Sequence, residues 1–236
     1  MTDIPHVPPV PDIVRAEGKS AVEVAEYYVD YFNRMPANFN YVRGTRVIKD
    51  AYRGLHNLPA LVAGCSAEKN LRGRVANVEL VTAVAPFAFG RKTQVFDLPK
   101  RKFAFGRDRL AGYRVPFFFV EDGIVKLYFV QSRKRMPMSE DQLAMYVTIV
   151  KRYLLDVEFF GLPADVEVIE ASASCDKKDR EPKRFRVADF LLWSDEALAR
   201  RLTIISEGLD LAASSGRIVD RPRRRPQAAT DMPLFD

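Results

Sequence analysis

Tyr113-Arg114-Val115-Pro116-Phe117-Phe118-Phe119-Val120, then Glu121-Asp122-Gly123, then Ile124-Val125-Lys126-Leu127-Tyr128-Phe129-Val130 runs through the middle of the chain. The first run is short and apolar, with three consecutive Phe, and reads as a strand. Glu121-Asp122-Gly123 is a turn signal, and Ile124–Val130 alternates enough to be the returning strand. The hairpin ends in the polar cluster Gln131-Ser132-Arg133-Lys134-Arg135, and Pro137 closes the segment.

Beyond the hairpin, Ser139 starts a helix with capping-box spacing to Gln142, and Met138 stands where a hydrophobic staple would sit. Leu143, Tyr146, Val147, Val150, Tyr153 and Leu154 recur at helical spacing, so one face is expected to be buried. After Gly161-Leu162-Pro163, Val166–Ile169 reads as a short strand. A hairpin, a helix and a returning strand require a right-handed crossover on a mixed sheet. The expected fold is therefore α/β (α+β), a mixed β-sheet flanked by helices.

This unit resembles the core of the RecB-like branch of the PD-(D/E)XK nucleases, over roughly residues 75 to 170. In that family the first hairpin strand carries an Asp and the second an acid-x-Lys, and the next helix carries Gln with Tyr four residues later. Gln142-Leu143-Ala144-Met145-Tyr146 matches the helix motif in type and order. The resemblance implies a restriction-endonuclease-like core with a site at Gln131, Arg133, Gln142 and Tyr146. Glu79, on the helix ahead of the hairpin, takes the place of a metal-directed Glu. The first-strand Asp position falls between Val115 and Phe117, none of them an acid, and Gln131-Ser132-Arg133 stands in place of the acid-x-Lys.

Those replacements matter chemically. Mg²⁺ demands hard oxygen ligands, and neutral groups in place of two anions remove most of the Coulombic attraction for it. Arg133 cannot act as a tunable base, because a guanidinium keeps its proton above about pH 12. Lys134 is one residue on and points to the opposite face of a strand. The expected site is thus degenerate, with no metal and no cofactor; Mg or Mn enters only if Asp97, Glu79, Glu121, Asp122 and Glu167 form a relocated carboxylate set. No Gly-rich phosphate loop, Ser/His/Asp order or Cys/His cluster points to another enzyme class.

At 236 residues with 47% apolar composition, the chain can bury a full core. Cys65 and Cys175 lie far apart without ligand spacing, which suggests free thiols in a reducing cytoplasm. Met1–Pro11 is Pro-rich and lacks the apolar core of a secretory signal, and no apolar run is long enough for a bilayer. The expected organisation is an extended arm over residues 1–18, one domain over 19–216 and a basic tail over 217–236. Ser20–Met35 reads as an amphipathic helix with Val22, Val24, Ala25, Tyr28, Val29 and Phe32 on its apolar stripe. Arg43, Arg46, Lys49 and Arg53 recur as one basic face, and Ala67 onward reads as a helix that Pro86 helps to end. Ser194 caps a last helix of about 194–213, with Asp195 and Glu196 in its first turn.

The formal charge of +6 fits a polyanionic partner. Arg91–Arg109 holds seven Lys or Arg against Asp97 and Asp108, interleaved with Phe96, Phe103 and Phe105. Such a pattern suits a groove that tracks a nucleic-acid backbone and stacks bases, and equally an edge hairpin with charged gatekeepers. The candidate DNA-contacting residues are Arg91, Lys92, Lys100, Arg101, Lys102, Arg107, Arg109, Arg114, Lys134 and Arg135.

Beyond the Arg/Pro stretch Arg217–Pro226, Asp231-Met232-Pro233-Leu234-Phe235 resembles the short peptide by which bacterial DNA-processing proteins hold the replication sliding clamp. Met232, Leu234 and Phe235 match its apolar positions, while Asp231 stands where that motif has Gln. The same residues would also suit a segment folding back on its own domain. The combined expectation is a non-catalytic, DNA-associated protein tethered to a sliding clamp. A divalent-metal nuclease with relocated carboxylates and an adaptor that touches no nucleic acid are the alternatives.

Overall fold

A computed structural model describes residues 4, 6–35, 39–173 and 178–219. In chain order the elements are α1 (Val10–Ile13), α2 (Ala21–Asn33), α3 (Val42–Tyr52), α4 (Leu58–Gly64), α5 (Leu71–Val84), β1 (Thr93–Asp97), β2 (Lys102–Phe105) and β3 (Arg109–Gly112). They continue with β4 (Phe117–Glu121), β5 (Ile124–Gln131), α6 (Glu140–Val150), α7 (Asp156–Glu158), β6 (Ala164–Glu170), β7 (Lys183–Phe185) and α8 (Asp195–Ser214). The described residues divide into two compact units, one drawn from the spans Ala37–Arg101 and Tyr113–Trp193, the other from the spans Met1–Pro36, Lys102–Gly112 and Ser194–Asp236. The stretch 75–170 that carries the nuclease resemblance contributes to both.

The larger unit holds a five-stranded mixed sheet in the order β1-β4-β5-β6-β7. Asp122 (φ 51°) and Gly123 (φ 77°) both adopt left-handed backbone in the turn that joins the antiparallel pair β4 and β5. β6 returns parallel to β5, from Val125 opposite Ala164 to Gln131 opposite Glu170, and α6 lies between them in sequence. Ser139 and Gln142 close the expected capping box at the start of α6. Met138 is buried, as a staple residue would be. From Leu143 to Val150 every α6 residue is buried, so the helix is enclosed all round. It then widens into a π-helical turn over Lys151–Leu155, where Leu154 is buried and Tyr153 is 46% exposed. The expected mixed sheet flanked by helices is therefore present.

Several boundaries differ from the sequence reading for local reasons. The first hairpin strand begins at Phe117 and not Tyr113, because Arg114 adopts φ 61° and Pro116 has no N–H to give a ladder. The helix expected from Ala67 begins at Leu71, where the Asn70 side chain accepts from Gly73 N. α4, a helix that the sequence periodicity does not mark, is capped by Asn57 with Pro59 in its first turn. The basic row on α3 is largely engaged: Arg43 donates to the Gly64 carbonyl (3.2 Å), Lys49 pairs with Asp97 and Arg53 with Asp50.

The smaller unit packs α2 and α8 with the β2–β3 hairpin. Ser20 and Glu23 form a second capping box at the head of α2. Val24, Ala25, Tyr28 and Val29 are its buried stripe, whereas Val22 is 65% exposed. Gly208 on α8 lets Val24 approach: an added Cβ would meet Val24 Cγ1 at 2.4 Å. Inside the stretch expected to be an extended arm, Val10–Ile13 forms one helical turn, and Val10 and Ile13 are fully buried. Among the described residues no helix is long and apolar enough to cross a membrane.

Candidate functional site

The carboxyl ends of β5 and β6 lie side by side, and Gln131 and Glu170 are register partners there. Open sheets of this kind take ligands at the carboxyl ends of parallel strands. Gln131 is 4% exposed. Its Nε2 donates to the carbonyls of Met136 (2.7 Å) and Arg133 (3.0 Å) and to Glu170 Oε1 (3.2 Å). Its Oε1 accepts from Arg133 N at 2.8 Å. Glu170 Oε2 accepts from the Ser172 hydroxyl (2.8 Å) and amide (3.2 Å). The Gln131 amide is thus a clamp on the turn that follows β5. A carboxylate could not serve, having no proton to donate at neutral pH.

The structure brings Glu79 to that same turn, where Lys134 Nζ holds its Oε2 at 2.9 Å. Val115 is half-buried and Phe117 is fully buried, stacked on Tyr128 at 4.6 Å. Gln142 and Tyr146 do not form a groove wall. Gln142 spends its Oε1 on Ser139 N (3.1 Å) as half of the capping box. Tyr146 is fully buried with its ring 4.2 Å from that of Phe129, and its hydroxyl donates to the Tyr113 carbonyl at 3.1 Å. Burial pushes the Tyr146 phenol well above its ordinary pKa. It is a core residue.

A second cluster lies elsewhere on the sheet, where spacing in sequence gave no hint of it. Arg91 Nε and Nη2 each donate to Glu121 at 2.6 Å. Nη1 and Nη2 also reach Glu167, at 2.9 and 3.0 Å. Lys126 closes on Glu121, and the Tyr52 hydroxyl donates to Glu167. The guanidinium lies 5.0 and 5.2 Å from the Phe119 and Tyr52 ring centres. Burial opposes the charge on Arg91, and the hydrogen bonds to Glu121 and Glu167 outweigh that, so its pKa is raised. The Arg91 hydrogen bonds, with help from Lys126, hold the Glu121 carboxyl down at about 2. The Tyr128 hydroxyl is buried beside this set with no hydrogen-bond partner among the described residues.

Of the five acids of the relocated metal set, only Glu121 and Glu167 share a partner, Arg91, and Lys126 also lies against Glu121. Asp97 pairs with Lys49, Glu79 with Lys134, and Asp122 is exposed in the turn. Among the described residues no three His, Cys, Asp or Glu side chains are grouped to hold a metal ion.

The basic candidates sort by what already occupies them. Arg91 is 12% exposed and committed to its two carboxylates, so it is a structural cation. Arg101 grips Glu158 at 2.6 and 3.2 Å. Arg109 is held by the Ser206 hydroxyl at 2.7 Å and by Asp210. Lys92, Lys100, Arg114 and Arg135 in the larger unit are exposed with no ion pair to a described residue, as are Lys102 and Arg107 in the smaller one. Phe103 and Phe105 are buried and stack on each other at 6.0 Å, so they are core rather than base platforms. Phe96 is 43% exposed. Cys175 and the tail residues Met232, Leu234 and Phe235 lie outside the described residues. No family model matches the chain, and neither the curated proteins nor the solved structures include a significant match to it.

Proposed function

We propose that this protein is a non-catalytic, DNA-associated protein built on a nuclease-like sheet. The observation that carries the reading is the Gln131 amide. It occupies the place of a metal-binding acid in the family the core resembles, and it is used up in hydrogen bonds that a carboxylate could not make. The acids nearest the two clusters are closed by Lys134, Arg91 and Lys126.

The cations left over supply the affinity. Lys92, Lys100, Arg114 and Arg135 are exposed and form no ion pair with a described residue, and each phosphate they meet releases counterions. The C-terminal Met232, Leu234 and Phe235 would tether the protein to a sliding clamp, on the strength of their sequence pattern. The isolated Cys65, buried and with its thiol raised to about 11, suits a reducing cytoplasm. The test is retention of labelled DNA over a salt series by the intact chain. Affinity should fall steeply with salt, and replacing Lys100, Arg101 and Lys102 should flatten the slope, with Arg101 contributing least because Glu158 holds it. A salt-independent interaction would reject the reading.

A further inference from the structure

Resting on the DNA-associated reading, we infer that the β1–β4 face is a base-stacking platform for single-stranded nucleic acid, with Phe96 as the contact ring. Phe96 and Phe118 are register partners, so they share one face of the sheet. Their rings are stacked, with centroids 5.1 Å apart and planes within 17°. Phe159 stands edge-on to Phe118 at 5.0 Å, so Phe118 has a ring on each side. β1 is an edge strand, and Phe96 keeps 43% of its surface in solvent.

The same chain segment carries exposed positive charge on both sides of β1, Lys92 just before it and Lys100 just after it, neither in an ion pair with a described residue. Of the acids near in sequence to the two rings and their flanks, Asp97 pairs with Lys49 and Glu158 with Arg101. A partner that satisfies both the ring and the lysines carries flat aromatic faces along an anionic backbone. Single-stranded nucleic acid does so. A duplex offers the phosphates but keeps its base faces stacked inside.

The experiment compares a fluorescein-labelled dT oligonucleotide with a duplex hairpin of equal length, by anisotropy with the full chain. The single strand should bind more tightly. Phe96→Leu keeps an apolar side chain on Phe118 but removes the ring face; it should weaken single-strand binding roughly ten-fold or more and leave duplex binding and Tm unchanged. Phe96→Tyr should retain binding. Equal affinity for the two probes, or an unaltered single-strand affinity in Phe96→Leu, overturns this inference and leaves the DNA-associated reading standing. Binding of neither probe at low salt overturns both.

Discussion

Arg91 and Glu167, 76 residues apart in the chain, face each other as two parallel pairs of nitrogen and oxygen, at 2.9 and 3.0 Å. The Glu167 side chain is 2% exposed and that of Arg91 is 12%. Breaking such a pair leaves a buried charge without its partner, which costs more than the pair itself gains. Arg91→Ala should therefore lower unfolding stability by about 3 kcal/mol or more. Arg91→Lys should recover only part of that, since an ammonium lacks the planar fork. Chemical denaturation measures both. A change below about 1 kcal/mol for Arg91→Ala would mean the cluster is dispensable.

Glu121 gives the cluster a pH signature. Its folded pKa, about 2, lies below the ordinary 4.5. The unfolded state therefore binds more protons between those values, and stability rises with pH across that window. The Glu121 contribution is complete above about pH 4.5 and is lost as pH falls toward 2. Unfolding followed from pH 6 to pH 2 should show a steeper loss in the wild type than in Glu121→Gln. Parallel curves would contradict the assignment.

Gln131→Glu tests the clamp directly. The carboxylate would leave the Arg133 and Met136 carbonyls without their donor and would stand beside Glu170. Stability at neutral pH should fall by about 2 kcal/mol or more. Some of it should return on acidification, as the two carboxyls come to share a proton. A neutral-pH Tm equal to wild type would show that the amide is not needed.

How far the sequence could be read differs between fold and site. Glu121-Asp122-Gly123 and the Ser139 and Gln142 box are local devices, legible because each sits within four residues. The true start of β4 was obscured by Arg114, whose positive φ no residue type announces. The site was harder, since it depends on contacts between distant segments. Glu121 and Glu167 stood out as acids, but nothing in their spacing could show Arg91 lying against both. Tyr146 followed a family pattern in sequence, yet its hydroxyl serves a backbone carbonyl in the core. Periodicity marks which face is buried; it does not tell a core tyrosine from a groove tyrosine.

Tyr146→Phe follows from that distinction. It removes the donor to the Tyr113 carbonyl and should cost about 1 kcal/mol in denaturant unfolding. Its retention of labelled DNA should equal that of wild type. Weakened retention with unchanged stability would return Tyr146 to a binding surface.

The protein proposed above holds DNA without cutting it. The most direct measurement places end-labelled single-stranded and duplex DNA in excess protein with Mg²⁺ or Mn²⁺, and follows strand length and retention together over hours. Salt-sensitive retention of full-length strands is the predicted result. Metal-dependent shortening of either substrate, abolished by chelation, would contradict it.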